Sequence, residues 1–292
     1  MNHDHKMKKS STCFDDNDNE DDICNIFNIK LSINNKLSMN IPEETLNKLQ
    51  TNFSKCVNGY HLINDDPIKE APWEDINSII LKESGCAVDT LSNGSHKSGG
   101  DITCSLGCFS NKSTQYKSGN SAFEISSYRL TTVCSDKNPG NITDIISEIN
   151  KRKNFNYYSI IVRDDKPTNI LYDWYLIPAD YSALDPSTYT WQPKLGKIGK
   201  NKDSVVGWET NTINGSSMSI TFSMSSQLWI SLNITDDMKK YIVGSCTVTK
   251  GRKYNYIDIY NLFTSGAVGT VGTVGAVSDV TGAVTCATTK SS

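Results

Sequence analysis

The chain has 292 residues, with 29 Lys and Arg against 32 Asp and Glu and a formal net charge of -3; 37% of its residues are hydrophobic and 21% charged. That length can bury a proper core in one large domain or two small ones. Its apolar runs fall short of the ~20 residues that a membrane helix needs, and its charge balance excludes a strongly basic, non-specific nucleic-acid coat.

Residues 1–25 are polar and carry the run Asp15, Asp16, Asp18, Glu20, Asp21 and Asp22. They hold too little apolar surface to fold, so a disordered acidic tail is expected. Seven acids and three bases lie there, which leaves 25 acids against 26 bases in the rest. The acidic excess belongs to the tail, and the body over 26–264 is near neutral. No basic start followed by an apolar stretch comes after Met1, so an intracellular location is expected. The nine cysteines are odd in number and scattered, which suits free thiols in a reducing compartment. The one close pair, Cys104 and Cys108, lacks the second pair that a zinc site needs.

A helix is predicted over 41–53, where Pro42, Glu43 and Glu44 suit its first turn. A second follows over 71–84, opened by Pro72 and closed by Gly85. Strands are predicted over 86–91, 101–106 and 108–113, with a turn at Gly107. Residues 122–133 read partly as strand and partly as a helical turn. Over 141–153 the spacing of Ile142, Ile145, Ile146 and Ile149 gives a helix, with Asn141 as its cap. Residues 158–162 and 170–177 form an apolar hairpin pair. The segment 194–202, KLGKIGKNK, is a basic loop; 218–234 alternates like strands, and 250–263 leads through a basic turn into a closing strand. From Gly266 a three-residue G-x-V repeat begins, without the proline of collagen or the Lys-Ser/Thr of a phosphate loop. A low-complexity tail over 265–292 is expected.

The order helix, three strands, helix, strand over 71–162 gives a mixed sheet with helices packed on it, an α/β (α+β) class. Its chemistry gathers around SHKSGGDITCSLGCFSNKS. Asp101 opens one strand and Lys112 lies on the next, so a hairpin turned near Gly107 brings both to one end of the sheet. A carboxylate beside a lysine, with a second carboxylate near, can hold Mg²⁺, orient water and stabilise a phosphoryl transition state. The plainer alternative is a turn aspartate and a solvated lysine.

This order of elements, with Asp at the start of the second strand and x-x-Lys on the third, resembles the PD-(D/E)XK nuclease superfamily, to which restriction endonucleases belong. The resemblance covers about 70–165. It implies a restriction-endonuclease-like core with extra C-terminal strands, Asp101 as a metal ligand, Lys112 positioning the attacking water, and Glu74 as an auxiliary acid. Ser110 stands where the pattern has an acid, and serine cannot supply a second negative ligand. In a variant pattern that acid is displaced to about a dozen residues past the lysine, which points to Glu124; Glu74 is the other choice. His96 is a candidate for assisting proton transfer, and Lys97, Lys117, Arg129, Lys197 and Lys200 for contacting DNA.

The function expected is Mg²⁺-dependent, site-specific cleavage of duplex DNA by a homodimer of the type II restriction kind. A less specific repair or recombination nuclease, and a non-catalytic protein assembling through the G-x-V tail, are the alternatives.

Overall fold

A computed structural model describes residues 41–91, 100–117, 119–222 and 225–264. The acidic run and the G-x-V repeat lie outside these residues.

Helix α1 (Glu43–Ile63) runs past the expected end at 53, because Leu46, Leu49, Phe53, Val57 and His61 continue one buried stripe at spacings of three and four. Helix α2 (Glu70–Glu83) buries Trp73, Ile76, Asn77, Ile80 and Leu81, and Gly85 follows it at φ 85°. Three strands come next: β1 (Val88–Leu91), β2 (Ile102–Cys104) and β3 (Gly107–Lys117). The two-residue turn between β2 and β3 needs Gly107, whose φ is 125° and whose missing Cβ would lie 2.8 Å from Asn156 Oδ1.

Residues 122–133 divide as expected between strand and helical turn, the turn closed by the Val133 and Cys134 N–H groups on the Leu130 carbonyl at 3.0 and 2.9 Å. They begin with an eight-residue strand, β4 (Ala122–Arg129), whose alternating Phe123 and Ile125 are buried. Helix α3 (Ile142–Arg152) starts as expected on Asn141, whose Oδ1 accepts the Asp144 N–H at 2.9 Å, and it buries Ile145 and Ile149. It leads into β5 (Tyr157–Asp165), which pairs in antiparallel fashion with β6 (Asn169–Pro178).

The remaining strands are β7 (Trp191–Leu195), β8 (Val205–Thr210), β9 (Ser217–Thr221), β10 (Gln227–Asn233) and, after the short helix α4 (Asp236–Lys239), β11 (Ile242–Thr249). The strand expected over 250–263 is instead helix α5 (Tyr256–Thr264). Its signal is local: Asn255 Oδ1 accepts the N–H groups of Ile257 and Asp258, while Asp258 reaches back to the Asn255 N–H at 2.8 Å. That reciprocal cap nucleates a helix where the apolar residues alone suggested a strand.

The eleven strands among the described residues join one mixed, open sheet, ordered β11-β6-β5-β3-β4-β10-β9-β8-β7, with β2 on β3 and β1 on β2. β3 and β5 run parallel, with β4 and α3 between them in the chain, and the other strand pairs are antiparallel. Helices α1 and α2 cover one face. There Phe53, Trp73 and Trp174 meet with ring centroids 5.7 to 6.1 Å apart. The close approach of α1 uses Gly244 of β11, where a Cβ would lie 2.8 Å from the Phe53 ring. The described cysteines, Cys56, Cys86, Cys104, Cys108, Cys134 and Cys246, are free thiols. No helix among the described residues is long and apolar enough to cross a membrane.

Candidate active site

One edge of β3 is shared by two strands that diverge. At its start β3 pairs with β2 through Cys104↔Gly107, Thr103↔Cys108 and Ile102↔Phe109. At its end it pairs with β4 through Tyr116↔Phe123 and Lys117↔Ala122. From Ser110 to Gln115 neither strand is paired to that edge, which leaves a fork. Backbone groups inside it must find other partners.

Asp101 stands at one side of the fork. Its own N–H donates to the Phe109 carbonyl at 2.7 Å, and its Oδ2 accepts the Asn111 N–H at 2.5 Å. The hydroxyl of Ser110, a residue only 2% exposed, also bonds to the Asp101 carboxylate. Lys112 fills the other side. Its Nζ donates to the Asn111 carbonyl at 2.7 Å and to Glu70 Oε1 at 2.8 Å. The side chain of Lys112 is 15% exposed and that of Glu70 48%.

Helix α2 supplies the rest. Glu70 and Glu74 are one helical turn apart and share a face, beside the stripe of Trp73 and Asn77 that enters the core. Burial pushes the Glu74 carboxyl above its ordinary range, and the charges of Asp101 and Glu70 push it the same way, against Lys112. Burial likewise raises Asp101, opposed by Lys112, the Asn111 N–H and the Ser110 hydroxyl. Burial pulls Lys112 down, yet Glu70 and Asp101 outweigh it and leave the ammonium above its usual value. The charges of three carboxylates therefore act together with one lysine, and the repulsion that Glu74 and Asp101 feel from their neighbours is of the kind an added cation relieves.

Among the expected residues, the fold brings together Asp101, Lys112, Glu74 and Ser110. It does not bring Glu124 to them. Glu124 Oε1 lies 3.0 Å from Lys117 Nζ, and the β3–β4 register puts Glu124 on the face of Ala122 and Lys117. Lys112, five residues before Lys117, has its Cβ on the opposite face, yet its ammonium reaches Glu70 of α2, whereas Glu124 is held by Lys117. Lys117 is correspondingly held in that ion pair. Arg129, Lys197 and Lys200 are exposed. His96 and Lys97 lie outside the described residues.

Glu70, Asn77 and Asn111 were not anticipated from sequence. Glu70 precedes Glu74 by four and lies one residue before the start expected for α2, so it joins that face only because the helix begins earlier. Asn77 and Asn111 carry no local signal.

The donors around Lys112 are all oxygen, which selects hard cations such as Mg²⁺ over zinc or copper. No cluster of three or more His, Cys, Asp and Glu side chains among the described residues is set to hold a metal ion. Mg²⁺ needs no such cage, because it takes one or two carboxylates and completes its shell with phosphate and water. Asp101 and Glu74 fit it in kind. Compared with protein-family models, with curated proteins and with solved structures, the chain matches none.

Proposed function

We propose that this chain is a Mg²⁺-dependent deoxyribonuclease with a restriction-endonuclease-like core, cutting duplex DNA at a specific site and acting as a homodimer. The observation that carries the reading is the meeting of Asp101, Glu74 and Lys112 at the fork in β3. It is supported by the order α2-β1-β2-β3-α3-β5, with β5 parallel to β3. Strand β4 is an insertion in that order.

Asp101 and Glu74 would hold the metal, and Glu74 takes the place considered for Glu124. Bound Mg²⁺ would supply charge stabilisation and make a water it holds easier to deprotonate. The chain's own groups do the positioning. Ser110 and the Asn111 N–H fix the Asp101 carboxylate, each using one of its lone pairs. The Lys112 ammonium, anchored by Asn111 and Glu70, has one remaining proton to donate to the attacking water or to a phosphate oxygen. In hydrolysis the phosphorus gains the water oxygen and releases one ester oxygen, which leaves protonated. Arg129, Lys197 and Lys200 are exposed cations suited to phosphate contacts.

The test is incubation with a defined plasmid and Mg²⁺. Discrete fragments, absent with Asp101→Ala and with Lys112→Ala, support the reading. A smear supports a less specific nuclease, and intact plasmid under all metal conditions overturns nuclease function. Sedimentation with and without a cut-site oligonucleotide tests the dimer.

A further inference from the structure

Asn77 and Asn111 are both fully buried, 0% exposed, in an apolar layer between α2 and the sheet. Asn77 Nδ2 donates to Asn111 Oδ1 at 2.6 Å and to Ser159 Oγ at 2.9 Å. The Trp174 indole N–H donates to the same Ser159 hydroxyl at 2.9 Å, and the Trp73 indole N–H to the Ser159 carbonyl at 3.1 Å. Helix α2, β3, β5 and β6 are thus tied by one buried polar knot.

The knot is incompletely satisfied. Asn77 Oδ1 and Asn111 Nδ2 have no hydrogen-bond partner. Unpaired amide atoms in a dry core cost stability, and an apolar pair of the same volume would avoid the cost. What an apolar pair cannot supply is register. A leucine slides along a helix groove, whereas a short amide–amide bond holds at one offset only.

That offset decides the site. The backbone of Asn111 holds both reacting-side groups, its N–H on Asp101 and its C=O on Lys112. Asn77 sits on the same helix as Glu70 and Glu74, at the next turns along. A slip of β3 by one residue would turn Lys112 toward the core and withdraw the Asn111 N–H from Asp101. We propose that Asn77 and Asn111 are the positioning residues of the site, their buried hydrogen bond locking α2 to β3 at the register where Asp101, Lys112, Glu70 and Glu74 meet. The inference rests on the nuclease reading for its activity arm only.

Asn77→Leu removes the amide while keeping the number of side-chain heavy atoms, and Asn77→Ser keeps a shorter hydroxyl donor on the same helix face. With Asn77→Leu, the kcat for plasmid cleavage in Mg²⁺ should fall by roughly 10- to 100-fold, as expected for a misplacement near 1 Å. The KM should move by less than about threefold, since substrate contacts are untouched. Amide exchange over 107–117 should quicken by about tenfold or more, while β6 and β11 keep their protection. Asn77→Ser should recover part of both. Unchanged exchange over 107–117 overturns the inference, whatever the activity does. Protection lost throughout the sheet also overturns it, because the role is then structural; an unfolded Asn77→Leu counts the same way unless Asn77→Ser shows the local pattern. If the wild-type chain cuts no DNA, the proposed function fails and the exchange arm still decides the positioning claim.

Discussion

The Lys112 ammonium lies 2.8 Å from a Glu70 carboxylate oxygen, across 42 positions of sequence, and among the described residues it is the cation whose charge acts on Glu74 and Asp101. A lysine that neutralises a nest of acids is tied to them energetically as well as chemically.

Lys112→Met keeps the aliphatic stem and deletes the charge. Three carboxylates are then left facing one another, and the fold should lose about 2 kcal/mol near pH 7. Plasmid cleavage should disappear. In the wild type the Lys112 pKa is raised, so its contribution is fully present below about 10.4 and lost as pH climbs through the higher folded value. Urea midpoints of both proteins between pH 7 and 11 check this: the gap between them should close at the alkaline end.

Glu74→Gln acts in the opposite direction. The raised Glu74 pKa means that its ionised form is disfavoured in the fold. Replacement should stabilise the metal-free protein by only about 0.5 kcal/mol at pH 7, because solvent screens a half-exposed carboxylate. The gain should vanish below about pH 4, where unfolded and folded Glu74 are both protonated. Thermal midpoints with and without Mg²⁺ read the other half: the wild type should be stabilised by the ion and Glu74→Gln much less so.

His61 sets the approach to the site from behind. Its Nδ1–H donates to the Asn64 carbonyl at 3.1 Å, which leaves Nε2 to accept the Tyr172 hydroxyl at 3.0 Å, while the oxygen of that hydroxyl accepts the Ile68 N–H at 3.0 Å. These bonds pin the segment that leads into Glu70. Burial lowers the His61 pKa, with the Asn64 carbonyl opposing it. The stability it confers is present above about pH 6.5 and lost as pH falls through the depressed value. His61→Gln should cost about 1 kcal/mol at pH 7 and flatten the decline between pH 7 and 5. A parallel decline in both proteins would exonerate His61.

Lys197 and Lys200 lie on the exposed loop between β7 and β8. If they contact phosphates, the double alanine variant should lower the slope of log affinity against log salt by about 1 to 2, with cleavage at saturating DNA unchanged. An unaltered slope removes the loop from the interface.

The helices at α1, α2 and α3 were legible in sequence because their apolar spacing and caps are local. So was the hairpin that sets Asp101 beside Lys112, since Gly107 marks its turn. Ser110 was legible as a departure from a pattern, but its bond to Asp101 was not, because that depends on how β2 leaves β3. Glu124 was misplaced for a related reason: distance along the chain suggested a reach, while the side chain is taken up by Lys117 on the neighbouring strand. The helical α5 was hidden by its apolar content, while the Asn255–Asp258 cap that explains it was in plain sight. The Asn77–Asn111 bond joins residues 34 apart through the packing of α2, which no local rule encodes.

The parallel partnership of β3 with β5 sets an order of events during synthesis. Every charged residue of the fork lies between Glu70 and Lys112, yet Ser159 and the ladder that supports β3 arrive only with Tyr157–Asp165. A growing chain that has passed Lys112 but not Asp165 carries the acids and the lysine without the strand that aligns them. On the proposed function, cutting should therefore wait until α3 and β5 have left the ribosome, and fragments ended before that point should not cleave DNA.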